Sequence, residues 1–189
     1  DPAMFEGIAA AGATLAATPD LRVVVLAGAG RAFCAGLDMM SFTGLKNAGD
    51  ISDRTHGVAN LFQHVAWLWR ELPVPVIAAV HGVAFGGGFQ VALGADVRLV
   101  APDTKMSVME IKWGLVPDMA GVALMRHLAR ADVIRELTFS GRVFSGTEAQ
   151  ALGFATRVCT DPYGEAVAFA REIAGKSPDA IRAAKRLLR

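Results

Sequence analysis

The sequence predicts an α/β protein, and three observations carry that reading. Apolar segments of strand length recur: LRVVVLAG from Leu21, PVIAAV from Pro75 and VRLV from Val97. Their continuous β-branched character suits strands buried on both faces of a parallel sheet. The first two are followed by a turn and then by a helical segment, and the alternation of strand, turn and helix along the chain favours strand–turn–helix units.

Taken in order, Asp1 and Pro2 read as an N-cap and first helical position, opening a helix over residues 2–17. The strand from Leu21 ends in glycine. AGRAFCAGLDMMSF, from Ala29 to Phe42, reads as a glycine-punctuated turn feeding a short helix, and the polar residues 46–52 read as a mobile loop. Val58, Leu61, Phe62, Val65, Leu68, Trp69 and Leu72 recur at helical spacing, predicting a helix over 53–72 that Pro73 and Pro75 close. PVIAAV, the glycine stretch HGVAFGGGFQVALGAD from His81, a helix to residue 95 and the strand at Val97 follow. KMSVMEIKWGLVPDMAG reads as extended, with a long amphipathic helix over 119–139 after it. A turn, a short helix from Thr147 and a strand come next, and helices over 163–176 and 178–188 finish the chain. No internal repeat is visible by residue identity.

At 189 residues, 53% hydrophobic and 20% charged, the chain can bury one core. Its apolar runs are too short to span a bilayer and no signal peptide is visible. A net charge of +1 gives no reason to expect nucleic acid. Arg182, Lys185, Arg186 and Arg189 read as cations at a solvated helix end. Cys34 and Cys159 lack metal-ligand spacing and point to a reducing compartment, so the expected location is the cytoplasm, with no metal.

The glycine run Gly86–Gly88 is costly in any regular element. Two readings account for it. Backbone N–H groups at the start of a helix can cradle an oxyanion or phosphate, or the glycines can serve a tight turn with close strand-to-helix packing. The GAG at Gly28 lacks the third glycine of a dinucleotide fingerprint. No serine follows the run in a nucleophile-elbow pattern, which argues against a serine hydrolase.

Three motifs, GRAFCAGLD from Gly30, HGVAFGGGFQVALGAD from His81 and MEIKWGLVPDMAG from Met109, together with the later SGRVFSGTEAQALGFATRV, resemble the enoyl-CoA hydratase/isomerase family, the crotonase superfamily. The resemblance implies a crotonase-like spiral of strand-strand-helix turns over residues 1–125 and a helical C-terminal trimerisation region over 126–189. It implies a homotrimer or dimer of trimers acting on acyl-CoA thioesters, with no cofactor beyond the coenzyme A of the substrate. Family members carry a β-hairpin before the helix that opens this chain, so the expectation is a chain lacking those N-terminal strands.

By motif position, the resemblance implies an oxyanion hole formed by the N–H groups of Ala35 and Gly87, and it makes Glu110 the principal catalytic carboxylate. The second glutamate of the family's hydratases falls on Gln90, an amide that can hold a water but cannot accept its proton. One carboxylate suffices for double-bond migration, which favours isomerisation by Glu110. Asp118 matches the second acid of the dienoyl-CoA isomerases, or else serves as a cap or first-turn residue of the helix near Met119. Phe33, Leu37, Met39, Met40, Phe42 and Trp113 are candidates to line the acyl pocket or are ordinary core. His81 is read as structural. The alternative function is a family member that binds acyl-CoA without catalysis.

Overall fold

The computed structural model describes residues 1–38 and 50–189. From the N-terminus the elements are α1 (Pro2–Ala17), β1 (Val24–Ala27), α2 (Leu61–Glu71), β2 (Val76–Val80), β3 (Val83–Phe85), α3 (Gly87–Leu93), β4 (Val97–Val100) and β5 (Lys105–Ser107). A 3₁₀ turn at Glu110–Trp113 leads to α4 (Gly121–Met125), α5 (Ala131–Ser140), β6 (Phe144–Ser145), α6 (Gly146–Leu152), β7 (Arg157–Val158), α7 (Pro162–Ala174) and α8 (Pro178–Leu188).

The apolar segments β1, β2 and β4 pair in parallel, and β7 adds a fourth parallel strand in the order β1-β2-β4-β7. β2 is buried at every position, so it reads as an unbroken apolar run rather than an alternating one. A second sheet, β3-β5-β6, pairs β3 with β5 in parallel and β5 with β6 antiparallel. Only His81 and Gly82 separate β2 from β3, so the chain passes from one sheet to the other just before the glycine run.

Two predicted helices differ in extent. The helix expected over 53–72 begins only at Leu61, because Asn60 and Gln63 form a reciprocal capping box: the Gln63 N–H donates to Asn60 Oδ1 at 2.9 Å and the Asn60 N–H to Gln63 Oε1 at 3.1 Å. The helix expected over 119–139 is two helices, α4 and α5. Between them the backbone tightens to three-residue bonds, His127 to Leu124 and Leu128 to Met125, and Arg130 is then extended. The short helix expected after Phe33 and most of the polar loop lie outside the described residues.

The core sits between the sheets and the helices. Phe89 on α3 meets Phe144 and Phe154 edge-on at 5.8 and 5.4 Å, all three fully buried, and this anchors the helix that follows the glycines. At the opposite end of α3, Lys185 of α8 reaches into the fold. Its Nζ donates to the carbonyls of Trp69 and Val74 at 3.0 and 2.8 Å and to Asp96 Oδ2 at 2.7 Å. Asp96 Oδ2 also accepts the Val76 N–H at 2.7 Å, tying α8 to the start of β2. The Lys185 side chain is only 6% exposed, so removing it strands buried acceptors. Lys185→Ala should lower unfolding stability by about 3 kcal/mol, the lower end for a broken buried pair, because Asp96 keeps some solvent; urea denaturation checks it.

Candidate active site

Two turns converge on one cavity. The turn after β1 is drawn alongside β3: the Phe33 N–H donates to the His81 carbonyl at 2.9 Å, the Cys34 N–H to Val83 at 3.0 Å, and the Phe85 N–H to Cys34 at 3.1 Å. Cys34 and Ala84 form a parallel bridge. The His81 ring shares a 3.0 Å hydrogen bond with the Gly30 carbonyl, consistent with a structural role. Ala35 and Gly36 are thereby laid next to the start of α3.

The glycines of the second turn have separate reasons. Gly86 has φ +51°, and it passes so close to Glu110 that an added Cβ would lie 3.3 Å from Oε1. Gly88 has no room at all: a Cβ there would lie 2.4 Å from the Cys34 carbonyl oxygen. The close-packing reading of the run therefore holds, and the same packing brings Gly87 to the wall of a cavity. Gly87 is the first helical residue, where no intrahelical acceptor exists for its N–H. No described residue accepts from the Ala35 N–H.

A cavity of about 160 Å³ is lined by Ala35, Gly36, Leu37, Gly87, Glu110 and Trp113, among others. Five of the residues expected at the site, Ala35, Leu37, Gly87, Glu110 and Trp113, are thus brought together. A smaller cavity of about 60 Å³ shares Gly36, Leu37 and Gly87 and is otherwise mostly apolar, with Phe5, Ile8, Val65, Val91 and Met119. Phe33 lines neither cavity; it is half-buried against the main core. Met39, Met40 and Phe42 lie outside the described residues.

Glu110 begins the 3₁₀ turn and is 8% exposed. Its Oε1 accepts from Gln90 Nε2 at 2.6 Å, while its buried Oε2 has no partner among the described residues. Burial, the largest influence, pushes the carboxyl above its ordinary range. Hydrogen bonds from its own backbone and from Gln90 pull the other way, and the charge of Asp118 adds to the rise. Asp118 is exposed and lines neither cavity. The cap of α4 is Ala120, at φ +63°, so Asp118 is not that helix's N-cap.

Gln90 is 1% exposed and stands behind Glu110, outside the cavity lining. Its Oε1 accepts the Gly121 N–H at 2.8 Å. Sequence reasoning assigned no role to Gly121 or Met119, although both sit within the third motif. Met119 Sδ would lie 2.9 Å from a Cβ on Gly87, and a Cβ on Gly121 would lie 2.4 Å from Gln90 Oε1.

The family model for enoyl-CoA hydratase/isomerase matches residues 1–189, and the chain belongs to that family. A carnitinyl-CoA dehydratase of Proteus mirabilis (strain HI4320) is 35% identical over 90% of this chain and 64% of its own length. The human mitochondrial Delta(3,5)-Delta(2,4)-dienoyl-CoA isomerase is 34% identical over 88% of this chain and 54% of its own. A Thermobifida fusca YX protein solved in complex with CoA superposes with a TM-score of 0.84 at 29% identity, covering 98% of this chain and 73% of that one. The chain spans less than two thirds of the length of these two sequence relatives.

The raised carboxyl of Glu110 has a consequence for stability. A carboxyl whose folded value exceeds its unfolded value holds its proton more tightly when folded, so folding is favoured at low pH and loses stability as pH rises from the unfolded value through the folded one. Ionised Glu110 therefore destabilises the fold at neutral pH. Glu110→Gln should melt higher than the parent at pH 7, the gap closing by about pH 4 where the unfolded glutamate protonates; thermal melts across pH measure this, and equal melting at every pH would contradict it.

Proposed function

We propose that this cavity binds an acyl-CoA thioester and shifts its double bond through an enolate. The observation that carries the reading is Glu110: a buried carboxylate with one oxygen unpaired among the described residues, on the wall of the cavity that also holds Ala35 and Gly87. The thioester oxygen sits between the N–H groups of Ala35 and Gly87. Donors of this kind stabilise charge that develops on oxygen, typically by about 2.7–4 kcal/mol each. The adjoining apolar cavity takes the acyl chain. The CoA-bound Thermobifida relative supports coenzyme A as the carrier.

For a 3-enoyl thioester the steps balance without a co-reactant. Glu110 takes the proton from C2, the C–H electron pair forms a C1–C2 double bond, and the carbonyl oxygen becomes the oxyanion. Reprotonation from Glu110 at C4 moves the double bond to C2–C3 and restores the carbonyl. A carboxyl held above its ordinary range suits a proton that must be both taken and returned. Gln90 favours this over two-carboxylate hydration, because its amide accepts no proton and both ends are engaged within the protein.

Proton NMR in deuterated water, with 2-enoyl-CoA and 3-enoyl-CoA in separate tubes, tests the proposal. The expected result is double-bond migration with deuterium at the exchanging carbons and no 3-hydroxyacyl product. Glu110→Gln should slow turnover by about 10²–10⁴-fold while acyl-CoA binding persists. Full turnover in that variant would overturn Glu110 as base, and rapid 3-hydroxyacyl-CoA formation by the parent would replace isomerisation with hydration. Acyl-CoA binding with no chemistry in the parent would leave a binding protein.

A further inference from the structure

The amide of Gln90 is fixed at both ends. The Gly121 N–H can only donate, so the atom facing it at 2.8 Å is Oε1 and not Nε2. Nε2 must then point the other way, where it meets Glu110 Oε1 at 2.6 Å. Gly121 is the first residue of α4 and Gln90 lies within α3, so the bond also joins two helices. Space reserves the arrangement for glycine: a Cβ at 121 would lie 2.4 Å from Gln90 Oε1 and 2.7 Å from its Cδ. Nothing larger fits without pushing the amide away.

A carboxylate in place of this amide would behave differently. One oxygen would still take the Gly121 N–H, but the other would face Glu110 Oε1 at hydrogen-bond distance with no proton of its own. Two carboxylates so placed cannot both ionise and must share a proton. The amide avoids this by donating a hydrogen that does not titrate. It also occupies Oε1, and among the described residues the buried Oε2 has no partner.

We infer that Gln90 is a positioning residue: braced by the Gly121 N–H, it holds Oε1 of Glu110 with a hydrogen that does not titrate and so keeps that carboxylate ionised without a shared proton. This rests on the reading of Glu110 as base. Asp118 is the charged neighbour that acts on Glu110, and the variants below leave it in place.

The test reads Glu110 directly. Protein carrying δ-¹³C glutamate is titrated by NMR, the Glu110 signal being the one lost in Glu110→Gln. Gln90→Met keeps the volume and removes the donor, and should raise the Glu110 midpoint by about one to two pH units, the loss expected for a hydrogen bond to a charged group. The acid limb of thioester α-proton exchange into deuterated water should move by the same amount. Below that limb exchange falls roughly 10- to 100-fold, and it recovers at higher pH. Gln90→Glu should raise the midpoint as well, by forcing a shared proton. Should Gln90→Met not fold, Gly121→Ala provides the same displacement from the other side. A folded Gln90→Met or Gly121→Ala protein whose Glu110 midpoint is unmoved overturns the inference. Exchange that survives in Glu110→Gln would remove the base reading, while the midpoint would still judge the brace.

Discussion

The site depends on the close passage of two backbones. Gly88 lies against the Cys34 carbonyl with no space for a side chain, and the Cys34–Ala84 bridge holds that approach from the second sheet. With β3 only three residues long, one end of the contact is set by hydrogen bonds from the turn and the other by the buried aromatic cluster beneath α3. For the proposed chemistry, backbone donors on such fixed turns would need no reorganisation when charge develops. The glycines that permit it are destabilising in themselves, and the large buried core offsets them.

Glu110 is the electrostatic counterpart. A carboxylate at 8% exposure, with one oxygen unpartnered among the described residues, costs folding free energy at neutral pH, and the fold retains it on the cavity wall that also holds Ala35 and Gly87. Gln90 limits that cost by donating one hydrogen bond. Stability and proposed chemistry thus pull on the same group in opposite directions, a common feature of sites that handle protons. The first three residues of the third motif's turn, Glu110, Ile111 and Lys112, carry the carboxylate on a short 3₁₀ segment rather than on a loop, so its position follows the second sheet through β5.

Much of the main sheet was legible because β1, β2 and β4 are apolar at nearly every position and bounded by glycine or proline. The second sheet was not, because strands of two or three residues leave no period to detect. The start of α2 was misplaced because Val58 continues the apolar spacing, yet it is 72% exposed and the Asn60–Gln63 box decides the boundary. The helix predicted over 119–139 merged two helices because apolar residues keep their spacing across the break. At the site, motif resemblance brought Ala35, Leu37, Gly87, Glu110 and Trp113 to one cavity. Phe33 went to the core, since an aromatic next to a buried turn has two hydrophobic surfaces to choose from. The Gly121–Gln90–Glu110 chain was invisible: its members are 31 and 20 residues apart, and only the fold makes them neighbours.

The central claim is that Ala35 and Gly87 polarise a thioester carbonyl beside Glu110, and isotope-edited infrared spectroscopy of bound acyl-CoA reports on that bond directly. With a ¹³C-labelled thioester carbonyl, the account predicts that the C=O stretch moves to lower frequency on binding and returns toward its solution value in Gly88→Ala, whose added Cβ forces the two turns apart. A bound carbonyl with its solution frequency would contradict the claim.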